Sequence, residues 1–197
     1  MYKKICISNR HLLDGDLENF LERIALIAKS DVDLIILREK DLSEEQYRSL
    51  AYEVIKICDY YHKKCILHSF AEVAKELNHP HIHLTMTDFM RLCMADKFYF
   101  ETIGVSTHSL AEAMTARGLG ASYVTASHIF ETQCKPGLEP RGLSYLRDVI
   151  AEIHDGKEPY MEVYALGGIH PGNAHFCVEA GADGICMMSE YMKGDLS

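Results

Sequence analysis

Eight short apolar runs alternate with longer amphipathic ones along this chain, and that alternation constrains its fold more than any other feature. The apolar runs cover residues 5–8, 34–37, 65–67, 82–84, 102–105, 123–126, 162–166 and 184–188. Helical spacing covers residues 17–28, 44–61, 70–77, 89–95, 110–117, 142–154 and 171–180 between them. Short strands separated by helices build βαβ units, which imply an α/β fold with a parallel sheet. Eight such units close a (β/α)8 TIM barrel, and an open doubly wound sheet shares the periodicity. Gly120-Ala121-Ser122-Tyr123 and Gly181-Ala182-Asp183-Gly184 repeat one turn from helix end into strand, which favours the barrel. Little chain follows Met188, so the eighth helix is expected to be short or missing.

Local signals agree with these boundaries. Ser43 with Gln46 has capping-box spacing, Ser109 precedes a helical run, and Pro171 suits a first helical turn. With 197 residues, 48% hydrophobic and 25% charged, and with short linkers throughout, residues 1–197 read as one domain. The net charge of −9 speaks against nucleic acid or an anionic membrane as partner, since both need clustered Lys and Arg. It leaves room for a phosphorylated small molecule, which needs only a local cup of N–H groups and one or two cations. Seven cysteines, an odd number without a CxxC pair, read as reduced thiols in a cytoplasmic protein. No signal peptide or membrane span is read, and homo-oligomerisation stays open.

In a TIM barrel the chemistry sits just after the strands. That rule nominates Arg38, Glu39 and Lys40; His68 and Ser69; residues 85–88; Ser106, Thr107 and His108; residues 127–141; Gly167, Gly168 and Ile169; and Ser189 with Glu190. The Gly167-Gly168 turn is a candidate phosphate cup or simply a tight turn. His128 has the side chain for proton transfer near neutral pH, or is a partly buried histidine bonded to backbone. Lys135 and Arg141 lie in a long polar loop that suits an anion or plain solvent. Asp88 is a possible Mg²⁺ ligand or a helix N-cap.

Several segments together resemble the thiamine phosphate synthase/TenI superfamily. They are Leu37-Arg38-Glu39-Lys40, His83-Leu84 with Asp88, Ile103 to Ala113, Phe130 to Lys135, Ala165-Leu166-Gly167-Gly168-Ile169, and Ala180 to Ile185. The resemblance implies a TIM barrel and a role in thiamine biosynthesis or salvage. In the synthase branch, hydroxymethylpyrimidine pyrophosphate is coupled to a thiazole phosphate with Mg²⁺. This chain keeps that branch's Arg38, Lys40, Asp88, Ser106, Thr132 and Lys135. It has Ile36 for a pyrimidine-binding Gln, His68-Ser69 for Asn-Asp, Thr85-Met86 for Gly-Gln, and Glu131 and Cys134 for Pro and Thr.

The segment from His128 to Gly142 is similar to the TenI branch nearly throughout. That branch implies an isomerase, a thiazole tautomerase that aromatises a carboxythiazole phosphate without a metal. His128 then carries the proton. Arg38, Lys40, Ser106, Thr132, Lys135, Gly167, Gly168 and Ser189 bind the phosphorylated thiazole substrate. No cofactor is expected, and Mg²⁺ at Asp88 enters only with the synthase alternative. Glu190 beside Ser189 would repel a phosphate unless it turns away, so a non-catalytic thiazole or thiamine phosphate-binding protein is a third expectation.

Overall fold

The computed structural model describes residues 2–133, 137–156 and 160–196. Its strands are β1 (Lys3–Ile7), β2 (Leu34–Leu37), β3 (Lys64–His68), β4 (His81–Thr85), β5 (Thr102–Thr107), β6 (Tyr123–Ser127), β7 (Glu162–Leu166) and β8 (Gly184–Met187). The helices are α1 (Leu17–Lys29), α2 (Glu44–Tyr60), α3 (Ala71–Glu76), α4 (Met86–Arg91), α5 (Met94–Tyr99), α6 (Leu110–Gly118), α7 (Gly142–Ile153), α8 (Ala174–Glu179) and α9 (Ser189–Lys193). The strand order runs β1 to β8 and closes on itself. This is the (β/α)8 barrel expected from the alternation, and its eighth helix, α9, is five residues long.

The chain divides into two compact units, Leu84–Cys186 and Lys3–His83 together with the segment from Met187 on. In the second, β1, β2 and β3 pair in parallel with Ile5 opposite Leu34 and Ile35 opposite Cys65. Every side chain of β2 is buried, which is why Leu-Ile-Ile-Leu shows no polar alternation: a parallel strand covered on both faces is apolar on both. Phe20, Ile24 and Ile27 of α1 and Tyr47, Ala51 and Val54 of α2 supply buried helical stripes. Each fully buried aliphatic or aromatic side chain contributes about 1.5–3 kcal/mol. In the first unit β5, β6, β7 and β8 pair in parallel, with Ser106 opposite Thr125, Thr125 opposite Tyr164 and Tyr164 opposite Gly184.

The caps follow the sequence in part. Ser43 and Gln46 form the full capping box on α2, and Ser109 caps α6 by accepting from the Glu112 N–H. Pro171 is not in a first helical turn. Asn173 is the N-cap of α8, and its Oδ1 accepts from the His170 N–H, so a four-residue turn precedes the helix. The expected helix over 89–95 is two short helices broken at Leu92, the second capped by the Cys93 thiol accepting from Asp96 N–H. Cys6, Cys58, Cys65, Cys177 and Cys186 are buried as small apolar groups, whereas Cys93 is exposed. Among the described residues no helix is long and apolar enough to cross a membrane.

Candidate active site

The end of β6 and the turn after β7 form one piece of backbone. Ile129 N–H donates to Leu166 O at 3.0 Å and Phe130 N–H to Gly167 O at 3.0 Å, so the pairing of β6 with β7 continues past both strand ends. From the other side Arg141 N–H donates to His128 O at 2.9 Å and Gly142 N–H to Ile129 O at 3.2 Å. The approach is so close that a Cβ on Gly167 would stand 2.3 Å from His128 Cβ, and one on Gly168 would stand 2.2 Å from Glu131 O. Both glycines have positive φ, +105° and +64°. Glycine is required here by crowding and by conformation alike.

His128 is 5% exposed, and its Nε2 lies 3.2 Å from Leu138 O. The carbonyls of the glycine turn face protein, since Gly167 O takes Phe130 N–H and Gly168 O takes the Asn173 side-chain amide at 2.8 Å. Among the described residues no acceptor takes the N–H groups of Gly167, Gly168 or Ile169. Successive unspent N–H groups are what an anion needs. They come from the turn itself and not from the N-terminus of α8, which begins at Ala174.

Other candidates of this unit sit nearby along their strands. Ser106 is half-buried near the end of β5, and Thr107 Oγ1 donates to Thr125 O. His108 Nδ1 lies 3.1 Å from both Ser127 O and Ser127 Oγ, while its N–H donates to Glu112 at 2.6 Å. Thr132 is half-buried. Lys135 and Cys134 lie outside the described residues. Asp88 is not the N-cap of α4. That position is Thr85, whose hydroxyl donates to Asp88 Oδ2 at 2.6 Å and accepts from Asp88 N–H at 3.2 Å.

The second unit presents its own group. Arg38 is half-buried and Lys40 exposed, and their charges act on two buried imidazoles, His68 and His83. Burial first, then Lys40 and Arg38, push His83 down to about 3. The same burial lowers His68, followed by the charges of His83, Lys40 and Arg38. Both rings are therefore neutral at physiological pH, 5.1 Å apart between centroids, with His68 Nδ1 2.6 Å from Ser69 Oγ. Among the described residues no carboxylate pairs with the Arg38 guanidinium.

Glu39, nominated by its place after β2, is neither solvated nor aimed beside these cations. It is 2% exposed and is held by Ser8 Oγ, Arg10 N–H and the Arg10 guanidinium. Ser189 is exposed at the start of α9, with Glu190 half-buried next to it.

Fold and strand-end residues define the class: a (β/α)8 barrel of the kind whose active sites stand at the C-terminal ends of the strands. Residues 5–191 match the family model described as thiamine monophosphate synthase, and the chain belongs to that family. It is 32% identical over 176 residues, 89% of this chain and 91% of the other, to a putative thiamine-phosphate synthase 2 of Aquifex aeolicus. It is 29% identical over 197 residues, 98% of this chain and 92% of the other, to thiamine-phosphate synthase of Clostridium novyi. In fold it is similar to thiamine phosphate pyrophosphorylase from Pyrococcus furiosus, with TM-score 0.78 and 22% identity over 98% of this chain and 88% of that one.

Proposed function

We propose that this chain is a cytoplasmic, single-domain enzyme of thiamine biosynthesis that binds a thiazole phosphate, and that it couples this to hydroxymethylpyrimidine pyrophosphate. The observation that carries the reading is identity of 26–32%, along 84–98% of this chain, to proteins named thiamine-phosphate synthase. The strand ends supply matching chemistry. The N–H groups of Gly167, Gly168 and Ile169 suit the thiazole's phosphate, with Ser106 and Thr132 of the same unit as further ligand-binding groups; Ser189 and Lys135 are carried over from the family resemblance alone. Arg38, which lacks a carboxylate partner among the described residues, suits departing pyrophosphate together with Lys40.

The synthase branch implies Mg²⁺, and the residues present do not fit it. Mg²⁺ asks for near-octahedral oxygen ligands. Asp88 is engaged by the Thr85 hydroxyl, position 69 is a serine against His68, and among the described residues no three His, Cys, Asp or Glu side chains gather to hold a metal. In this reading Arg38 and Lys40 take up the charge of the leaving group.

A specific observation favours a second reading, thiazole tautomerase. His128 is a buried imidazole seated directly on the glycine turn whose N–H groups are unspent. A phosphate held there would bring its ring to one proton-transfer group, and aromatisation needs only a proton taken from ring carbon and one returned elsewhere.

One experiment separates the readings. Pure protein is given thiazole phosphate with hydroxymethylpyrimidine pyrophosphate, with Mg²⁺ or EDTA, and separately the carboxythiazole phosphate tautomer. Thiamine phosphate formation upholds the first reading. EDTA-insensitive aromatisation without coupling replaces it by the second. Calorimetric binding of the thiazole without either product leaves a non-catalytic binding protein, and absence of binding rejects all three.

A further inference from the structure

The buried carboxylate between the two cations of the β2 end has no part in the proposed reaction, yet Ser8 and Arg10 both bond it. Ser8, one residue past β1, donates its N–H to Ile36 O at 3.0 Å and accepts Arg38 N–H on its hydroxyl at 2.8 Å. The same hydroxyl donates to Glu39 Oε1 at 2.6 Å. Glu39 then takes Arg10 N–H on both oxygens at 3.1 Å and the Arg10 guanidinium at 3.2 Å. Arg10 in turn pairs with Asp41, which also meets His11. The β1–β2 pairing is thus carried beyond both strands by side chains, on both flanks of Glu39. Glu39 is buried between half-buried Arg38 and exposed Lys40. The charges of Arg38 and Lys40 act on His68 and His83, while Glu39's is met by Arg10.

We infer that Glu39 is a positioning residue: bonded to Ser8 and Arg10, it fixes the backbone from which Arg38 and Lys40 present their charges to an anionic ligand. The inference rests on the reading above that those two cations bind an anion. It makes the Arg-Glu-Lys run a functional triplet in which the middle residue never touches the ligand. Side chains that bind charge in a preset geometry need such support behind them.

The test is calorimetric titration with inorganic pyrophosphate. Glu39→Gln, which keeps the shape and removes the charge, and Ser8→Ala, which deletes the hydroxyl's bonds to both Glu39 and the Arg38 N–H, are each expected to weaken binding roughly ten- to a hundredfold. A merely structural role would add to any other loss. Positioning through Arg38 instead predicts that Arg38→Ala with Glu39→Gln loses less than the sum of the single losses. Should Glu39→Gln fail to fold, Ser8→Ala and its combination with Arg38→Ala answer the same question with the buried ion pair intact. Wild-type binding by both variants, or full additivity, overturns the inference while the anion site stands. A flat titration of the wild type instead removes the anion site, and the inference with it.

Discussion

Gly167 and Gly15 both have positive φ, yet they stand in opposite surroundings. A Cβ on Gly15 (φ +75°) meets nothing within 4 Å, whereas one on Gly167 meets His128 Cβ at 2.3 Å and Cα at 2.8 Å. Gly15→Ala is therefore expected to cost only the left-handed strain, about 1–2 kcal/mol. Gly167→Ala must in addition push the His128 backbone aside, with a loss above about 3 kcal/mol. Urea midpoints of the two variants check the difference, and equal losses would mean that the seat yields. For His128 itself, the tautomerase reading predicts that His128→Asn loses roughly 10²- to 10⁴-fold in rate with ligand affinity nearly kept. A normal rate would move the chemistry elsewhere, His108 being next along the strand ends. Gly-Gly and His128 were legible in the sequence because strand-end position nominates them. Glu39 was not legible as a buried group. Arg-Glu-Lys at a strand end reads as a run of solvated charges, and the burial is made by Ser8 and Arg10 about thirty residues away.

At the scale of elements, β3 with β4 and the link between them concentrate histidine: His68, His79, His81 and His83. Burial lowers all four, His83 to about 3 and His81 to about 4. Their folded pKa values lie below the unfolded value near 6.5. The unfolded chain therefore binds more protons as pH falls from 6.5 toward 3. Stability is fully present above pH 6.5 and is lost across that window, by up to about 1.4 kcal/mol per pH unit for each imidazole that stays neutral. Denaturation midpoints between pH 7 and 4.5 should fall, less steeply in His83→Gln. An unchanged midpoint would contradict the burial of these rings. Strands were placed from the sequence to within about two residues because apolar runs of this length have few other uses. The break at Leu92 was missed because Phe89, Leu92 and Cys93, at i, i+3 and i+4, fit one continuous helical face. The stop depends on Cys93 acting as a cap, which thiols seldom do.

At the scale of the molecule, the end of the described chain is tied to its beginning inside one unit. Arg23 of α1 donates to Tyr191 O at 2.6 Å and to Gly194 O, the carbonyls at the end of α9, while Tyr191 and Met192 are buried. Arg23→Ala should cost about 2 kcal/mol, the loss expected for charge-assisted bonds to part-buried carbonyls. A thermal melt matching wild type would show α9 to be held by its apolar side chains alone. The close seat of His128 on Gly167 bears on how such barrels can be recombined. A chimera whose crossover falls in α7 takes the β6 loop from one parent and the β7 turn from the other. If the second parent has any side chain at position 167, the two loops collide at main-chain level, where no rotamer change can help. Loop six and loop seven are therefore inherited as one cassette. Crossovers before Ser127 or after Ile169 should give folded hybrids where those within α7 fail.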